Sequence, residues 1–145
     1  MIEGVKILKR SVFKDNRGEV KHIMKPTDDN FKTFGEVYCS SINPGIVKGW
    51  NLHKKMTINY TVIRGSIKFV LFDTRESSAT INKKQEIILD SSNYVSVSVP
   101  PLIWSAFKCI GMKKAYIINF TDYPHTKSEV IRMDPYEKDI ISHNW

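Results

Sequence analysis

From Tyr94 to Val99 the chain runs Tyr-Val-Ser-Val-Ser-Val, with Ser91-Ser92-Asn93 before it and Pro100-Pro101 after it. Alternation of this kind gives two unlike faces at a period of two, the pattern of a strand that separates two environments. Proline cannot donate to a strand ladder, so the pair at 100–101 closes the run. The rest of the chain repeats the plan. Runs rich in β-branched and aromatic residues occur at Val5–Arg10, Glu19–Met24, Glu36–Ile42, Ile46–His53, Asn59–Ile63, Ser66–Asp73, Gln85–Leu89, Ile103–Cys109 and Lys114–Thr121. Turn formers such as Asn43-Pro44-Gly45 and Arg64-Gly65 stand between them. No segment longer than about ten residues keeps a helical period. Many short strands with turn signals between them predict an all-β sandwich or barrel, and the runs on either side of Gly65 predict a hairpin.

Composition bounds the rest. A chain of 145 residues with 41% hydrophobic and 26% charged residues is expected to form one globular domain spanning 1–145. Nothing in it approaches the apolar length of a membrane span, and Met1–Arg10 lacks the pattern of a secretory signal, so no membrane partner and a cytoplasmic location are expected. Cys39 and Cys109 stand far apart without metal-knuckle or redox spacing and read as free, buried thiols. The net charge of +7 favours anionic partners, but the lysines are scattered in pairs at 54–55, 83–84 and 113–114. No nucleic-acid module is present, so a dispersed basic surface is expected rather than a nucleic-acid partner. From Asp122 onward the chain turns polar and reads as a short C-terminal tail, irregular or briefly helical, on the outside of the barrel.

The stretch Gly45–Gly65, GIVKGWNLHKKMTINYTVIRG, carries the chemistry. Side chains two apart on a strand share a face, so Asn51 and His53 point the same way. If that way is inward, both line a pocket. The glycine frame resembles the first cupin motif, in which two histidines and a carboxylate converge on a metal inside a β-barrel. Laid on that motif, the histidine positions are Asn51 and His53 and the carboxylate position is Ile58. One imidazole and one amide fall short of the three or four ligands a stable metal site needs, so neither a metal nor another cofactor is expected. The second cupin motif lies over Pro100–Cys109, where its histidine position is Ser105.

Further motifs sharpen the resemblance. Phe13-Lys14-Asp15-Asn16-Arg17-Gly18 resembles FxDxRG, Asp73-Thr74-Arg75 with Ser78 and Thr80 resembles DxRxxSxT, and Val99-Pro100-Pro101 with Phe107 resembles IPPGxxHGF. Together with Pro44–Trp50 and the ending Ile140–Trp145, these are similar to the dTDP-4-dehydrorhamnose 3,5-epimerase family. The resemblance implies a cupin-type double-stranded β-helix, or jelly-roll barrel. It also implies a nucleotide-linked 4-keto sugar as ligand, in surface polysaccharide biosynthesis. In that family a histidine removes the proton next to the keto group and a tyrosine returns one on the opposite face. The base position falls at Asn51, the second histidine position at Ser105 and the tyrosine position at Ile118. His53 is then the candidate base, with Tyr60, Tyr116 or Tyr123 as the acid. Arg17 corresponds to a diphosphate-binding arginine, Phe13 to an aromatic near the base, and Lys48 to an arginine beside the catalytic strand. The FxDxRG segment serves a neighbouring subunit in the family, which implies a homodimer. Two readings follow: an epimerase or isomerase with relocated chemistry, or a catalytically inactive nucleotide-sugar-binding paralogue or partner subunit. A purely structural barrel is the third.

Overall fold

The computed structural model describes residues 1–145. It contains no helix. Twelve strands follow in order: β1 Lys6–Lys9, β2 Val12–Asp15, β3 Gly18–Lys21, β4 Glu36–Ile42, β5 Val47–His53, β6 Ile58–Arg64, β7 Ser66–Asp73, β8 Lys84–Asp90, β9 Val95–Val99, β10 Ile103–Cys109, β11 Ala115–Thr121 and β12 Val130–Arg132. Two five-stranded antiparallel sheets, β1-β9-β6-β11-β4 and β12-β5-β10-β7-β8, face each other as the two halves of a jelly roll. A separate two-stranded ribbon, β2-β3, stands apart from both. The all-β cupin-type barrel expected from the sequence is the fold observed.

The core follows the period of two. Ile58, Tyr60 and Val62 of β6 meet Ile67, Phe69 and Leu71 of β7, with Val97, Val99, Phe107 and Ile117 filling the space between the sheets. The second sheet is buried on its outer face as well, where Trp50, Leu52, Val70, Trp104 and Ala106 lie beneath Ile141, Met133 and Trp145 of the tail. A sheet covered on both sides needs apolar residues at successive positions, which is why β7 and β10 read as nearly continuous hydrophobic runs.

Two expectations about connectivity are corrected. β6 and β7 do not form a hairpin: β6 pairs with β9 and β11, whereas β7 pairs with β8 and β10. At Gly65 the chain crosses from one sheet to the other. Its φ of +80° suits glycine, and a Cβ there would lie 2.8 Å from Ala115 Cα. A glycine turn looks the same locally whether the chain folds back in one sheet or turns the corner between two. The tail also differs from an irregular or helical appendage, because Val130, Ile131 and Arg132 extend the second sheet opposite His53, Leu52 and Asn51.

The DxRxxSxT motif proves to be scaffold. Asp73 is fully buried at the end of β7 and accepts hydrogen bonds from Arg75 Nη2 at 2.8 Å, Ser78 Oγ at 2.7 Å and Thr80 Oγ1 at 2.7 Å. Burial alone pushes this carboxyl upward, but the Arg75, Ser78 and Thr80 donors outweigh it and hold the group well below the usual carboxylate range.

Candidate functional site

The site is built on a bulge in β5. Asn51 pairs with Ser105 and Lys48 pairs with Phe107, so Gly49 and Trp50 together oppose Ala106 alone. The extra residue resets the alternation. Trp50 points into the outer cluster, while Lys48, Asn51 and His53 all line one cavity between the sheets. Only glycine fits at 49, because its φ is +128° and a Cβ would lie 2.5 Å from Ala106 Cβ.

The cavity has a volume of about 430 Å³. It lies between β5 and β12 on one side and β4, β6 and β11 on the other. The first side contributes Lys48, Asn51, His53 and Arg132; the second contributes Tyr38, Ser40, Tyr60 and Asn119. Arg132 faces inward because its register partner is Asn51.

Of these lining residues, His53 is paired with Glu129, which does not itself line the cavity. His53 is 9% exposed and Glu129 is 4% exposed, and Nδ1 of the imidazole lies 2.8 Å from Oε2 of the carboxylate. The other oxygen, Oε1, accepts the backbone N–H groups of Lys55 at 2.8 Å and Met56 at 2.9 Å. Burial raises the Glu129 pKa, but the Lys55 N–H, His53 and the Met56 N–H bring it below the ordinary value, so the group is ionised. An ionised carboxylate only accepts, which fixes the Nδ1–H tautomer and leaves Nε2 as the basic nitrogen. Burial moves the His53 pKa below its ordinary 6.5 although Glu129 pulls it upward, so the imidazole is neutral at pH 7.

The other expected residues separate. Asn51 lines the cavity and offers an amide, and Lys48 lines it while donating from Nζ to the Ser41 carbonyl at 3.2 Å. Ser105 is buried beneath it, with Oγ 3.4 Å from Tyr60 Oη and 3.4 Å from the Asn51 carbonyl. Ile58 belongs to the core. Both cysteines are free, but only Cys109 is buried as expected; Cys39, on the edge strand β4, is exposed. Ile118 lies on the outward-facing side of β11, where the buried positions are Ile117 and Asn119, so the position laid for the tyrosine does not reach the cavity. Of the three tyrosines considered, Tyr60 lines the cavity and Tyr116 and Tyr123 do not. Phe13 and Arg17 sit on the β2-β3 ribbon around a separate hollow; Phe13 is exposed and Arg17 Nη2 donates to Asp15 at 2.7 Å.

Sequence reasoning missed Glu129, Arg132 and Tyr38. The local sign of the first two was the pair Val130-Ile131, two β-branched residues in an otherwise polar tail. The cavity is therefore better equipped for proton transfer than the motif positions alone imply. No three His, Cys, Asp or Glu side chains converge in the chain as metal ligands would, and no helix is long and apolar enough to cross a membrane.

Comparison with known proteins bears on the fold and the family. The family model described as dTDP-4-dehydrorhamnose 3,5-epimerase matches residues 1–141. The spore coat polysaccharide biosynthesis protein SpsL of Bacillus subtilis (strain 168) is 25% identical over 146 residues, covering 100% of this chain and 97% of that protein. Among solved structures, a dTDP sugar isomerase from Desulfovibrio desulfuricans G20 superposes with a TM-score of 0.88 at 33% identity, over 91% of this chain and 85% of that one. A dTDP-4-dehydrorhamnose 3,5-epimerase from Bacillus anthracis str. Ames, with TDP and PPi bound, shares the fold with a TM-score of 0.85 at 19% identity, over 96% and 83% of the two chains. The jelly roll, the cavity between its sheets and the match over nearly the whole length agree: the chain belongs to the dTDP-4-dehydrorhamnose 3,5-epimerase family.

Proposed function

We propose that this protein is an isomerase of dTDP-linked 4-keto-6-deoxy sugars in polysaccharide biosynthesis, using His53, oriented by Glu129, as the base. The observation that carries the reading is the buried Nδ1–Oε2 pair beside the cavity. A proton on the carbon next to a ketone is acidic enough to be removed by a neutral imidazole within hydrogen-bonding reach, provided the enolate oxygen is stabilised. His53 Nε2 is the basic atom. Asn51 cannot take up a proton at neutral pH, but its amide is a donor on the same face of β5 and suits the enolate oxygen. Lys48 and Arg132 supply positive charge for the diphosphate, Arg132 as a planar fork.

In this reading Phe13 and Arg17 serve the cavity of a second copy in a homodimer. Their support is position: they are carried on a ribbon apart from both sheets and away from their own subunit's cavity. The protein works as a single domain of 1–145, free in the cytoplasm. A binding-only paralogue is the second reading, favoured by the amide of Asn51 and the hydroxyl of Ser105 where the family motif has histidines.

Incubation with a dTDP-linked 4-keto-6-deoxy sugar in deuterium oxide distinguishes the two. Deuterium entering at C3 or C5, followed by proton NMR, supports the isomerase. Stabilisation against heat by dTDP without exchange supports the binding protein.

A further inference from the structure

Inverting a carbon takes two groups on opposite sides of it, one to remove the proton and one to deliver its replacement. In this barrel opposite sides mean opposite sheets. His53 stands on β5, and two tyrosines, Tyr38 and Tyr60, face the same cavity from the other sheet.

Tyr60 is engaged already. It is 4% exposed, packs against Phe69 with ring centroids 4.9 Å apart, and holds its hydroxyl 3.4 Å from Ser105 Oγ. It closes the floor between the sheets. Tyr38 differs on each point. It lies on β4, the edge strand of its sheet, lines the cavity and is 37% exposed as a residue. Its backbone carbonyl accepts from Asn119 Nδ2 at 3.3 Å, while its hydroxyl is engaged by no other group in the chain. Its neighbour on β11 explains why the sequence hides it. The motif puts the acid at Ile118, which faces outward; the inward residue beside it is Asn119, and the register partner of Asn119 on β4 is Tyr38.

We infer that Tyr38 is the proton donor on the sugar face opposite His53, a phenol carried one strand over from the position the motif marks. This inference rests on the isomerase reading above. His53 Nε2 takes the proton as the C–H bond breaks and its electron pair moves into the enolate. The enolate carbon then takes the Tyr38 O–H proton on its other face, and the electron pair of that O–H bond stays on the phenolate oxygen. Solvent returns a proton to Tyr38 and receives one from the imidazolium, so the cycle closes without an oxidant or a second substrate. Burial, followed by the charges of Glu36 and Glu129, raises the Tyr38 pKa and keeps the phenol protonated at neutral pH.

The test is Tyr38→Phe with a dTDP-linked 4-keto-6-deoxy sugar in deuterium oxide, read by NMR for both deuterium uptake and epimer formed, with dTDP-dependent thermal stabilisation measured in parallel. The expected result is stabilisation like that of the unsubstituted protein, deuterium uptake within about threefold of it, and epimer formation lowered about a hundredfold or more. Epimer formation at the unsubstituted rate overturns the inference, and so does loss of stabilisation, which makes Tyr38 a binding group. Absence of exchange in the unsubstituted protein removes the reaction itself, and this is seen before any substitution is made.

Discussion

Glu129 Oε2 meets His53 Nδ1 at 2.8 Å across 76 residues of sequence, and the contact exists because Val130 on β12 is the register partner of His53 on β5. The carboxylate fixes the tautomer. In Glu129→Gln, Oε1 can still accept from Lys55 and Met56, but the amide NH₂ then faces Nδ1. The ring answers by placing its proton on Nε2, where a base needs a lone pair. Deuterium exchange is expected to fall by roughly 10³ to 10⁴, as wrong-tautomer substitutions do, with dTDP stabilisation retained. Exchange within tenfold of the unsubstituted protein contradicts the assignment.

The same pair sets the pH dependence. Burial places the His53 pKa below its ordinary 6.5, so the base is neutral at pH 7 and the exchange rate is on its plateau there. The rate declines as pH falls through the depressed value. Stability follows the same sign: the unfolded chain protonates this ring first, so stability is full above the unfolded value and erodes as pH drops below it. Glu129 raises the His53 pKa, so removing its charge shifts the acid limb of the exchange profile to lower pH. A profile that moves to higher pH in Glu129→Gln contradicts this.

Gly49→Ala tests the bulge. The added methyl would meet Ala106 Cβ at 2.5 Å at a φ of +128° that alanine rarely adopts. A loss of about 2 kcal/mol or more in denaturant unfolding is expected. A change under about 0.5 kcal/mol, the range of neutral surface substitutions, shows that the bulge does not need glycine.

Asp73→Ala tests the scaffold reading of DxRxxSxT. It leaves Arg75, Ser78 and Thr80 without their shared acceptor, and because Arg75 stays partly exposed the expected loss is about 1–3 kcal/mol. Because the folded pKa of Asp73 is depressed, its contribution is complete above the unfolded value near 3.8 and is lost only as pH falls below that toward the folded value. Urea titrations at pH 7 and at acid pH measure both effects.

How far the sequence spoke depended on the range of the interaction. Glu36–Ile42, Ser66–Asp73 and Ile103–Cys109 match their strands to the residue, since each holds several β-branched or aromatic residues and is set off by local turn formers. Asn51 and His53 share a face because a period of two is local. Lys48 shares it only because the bulge shifts the count, and the bulge is made with β10. The pairing of β6 with β9 and β11 and the arrival of Glu129 beside His53 depend on the far end of the chain. Tyr38 was concealed for the same reason: its place at the cavity follows from the register of β4 on β11, where it pairs with Asn119.

The most direct measurement compares the unsubstituted protein with His53→Ala on a dTDP-linked 4-keto-6-deoxy sugar in deuterium oxide. If the imidazole held by Glu129 is the base, deuterium enters next to the keto group in the first and at least about a hundredfold more slowly in the second, while dTDP raises the melting temperature of both. Equal uptake in the two proteins, or none in the first, contradicts the account.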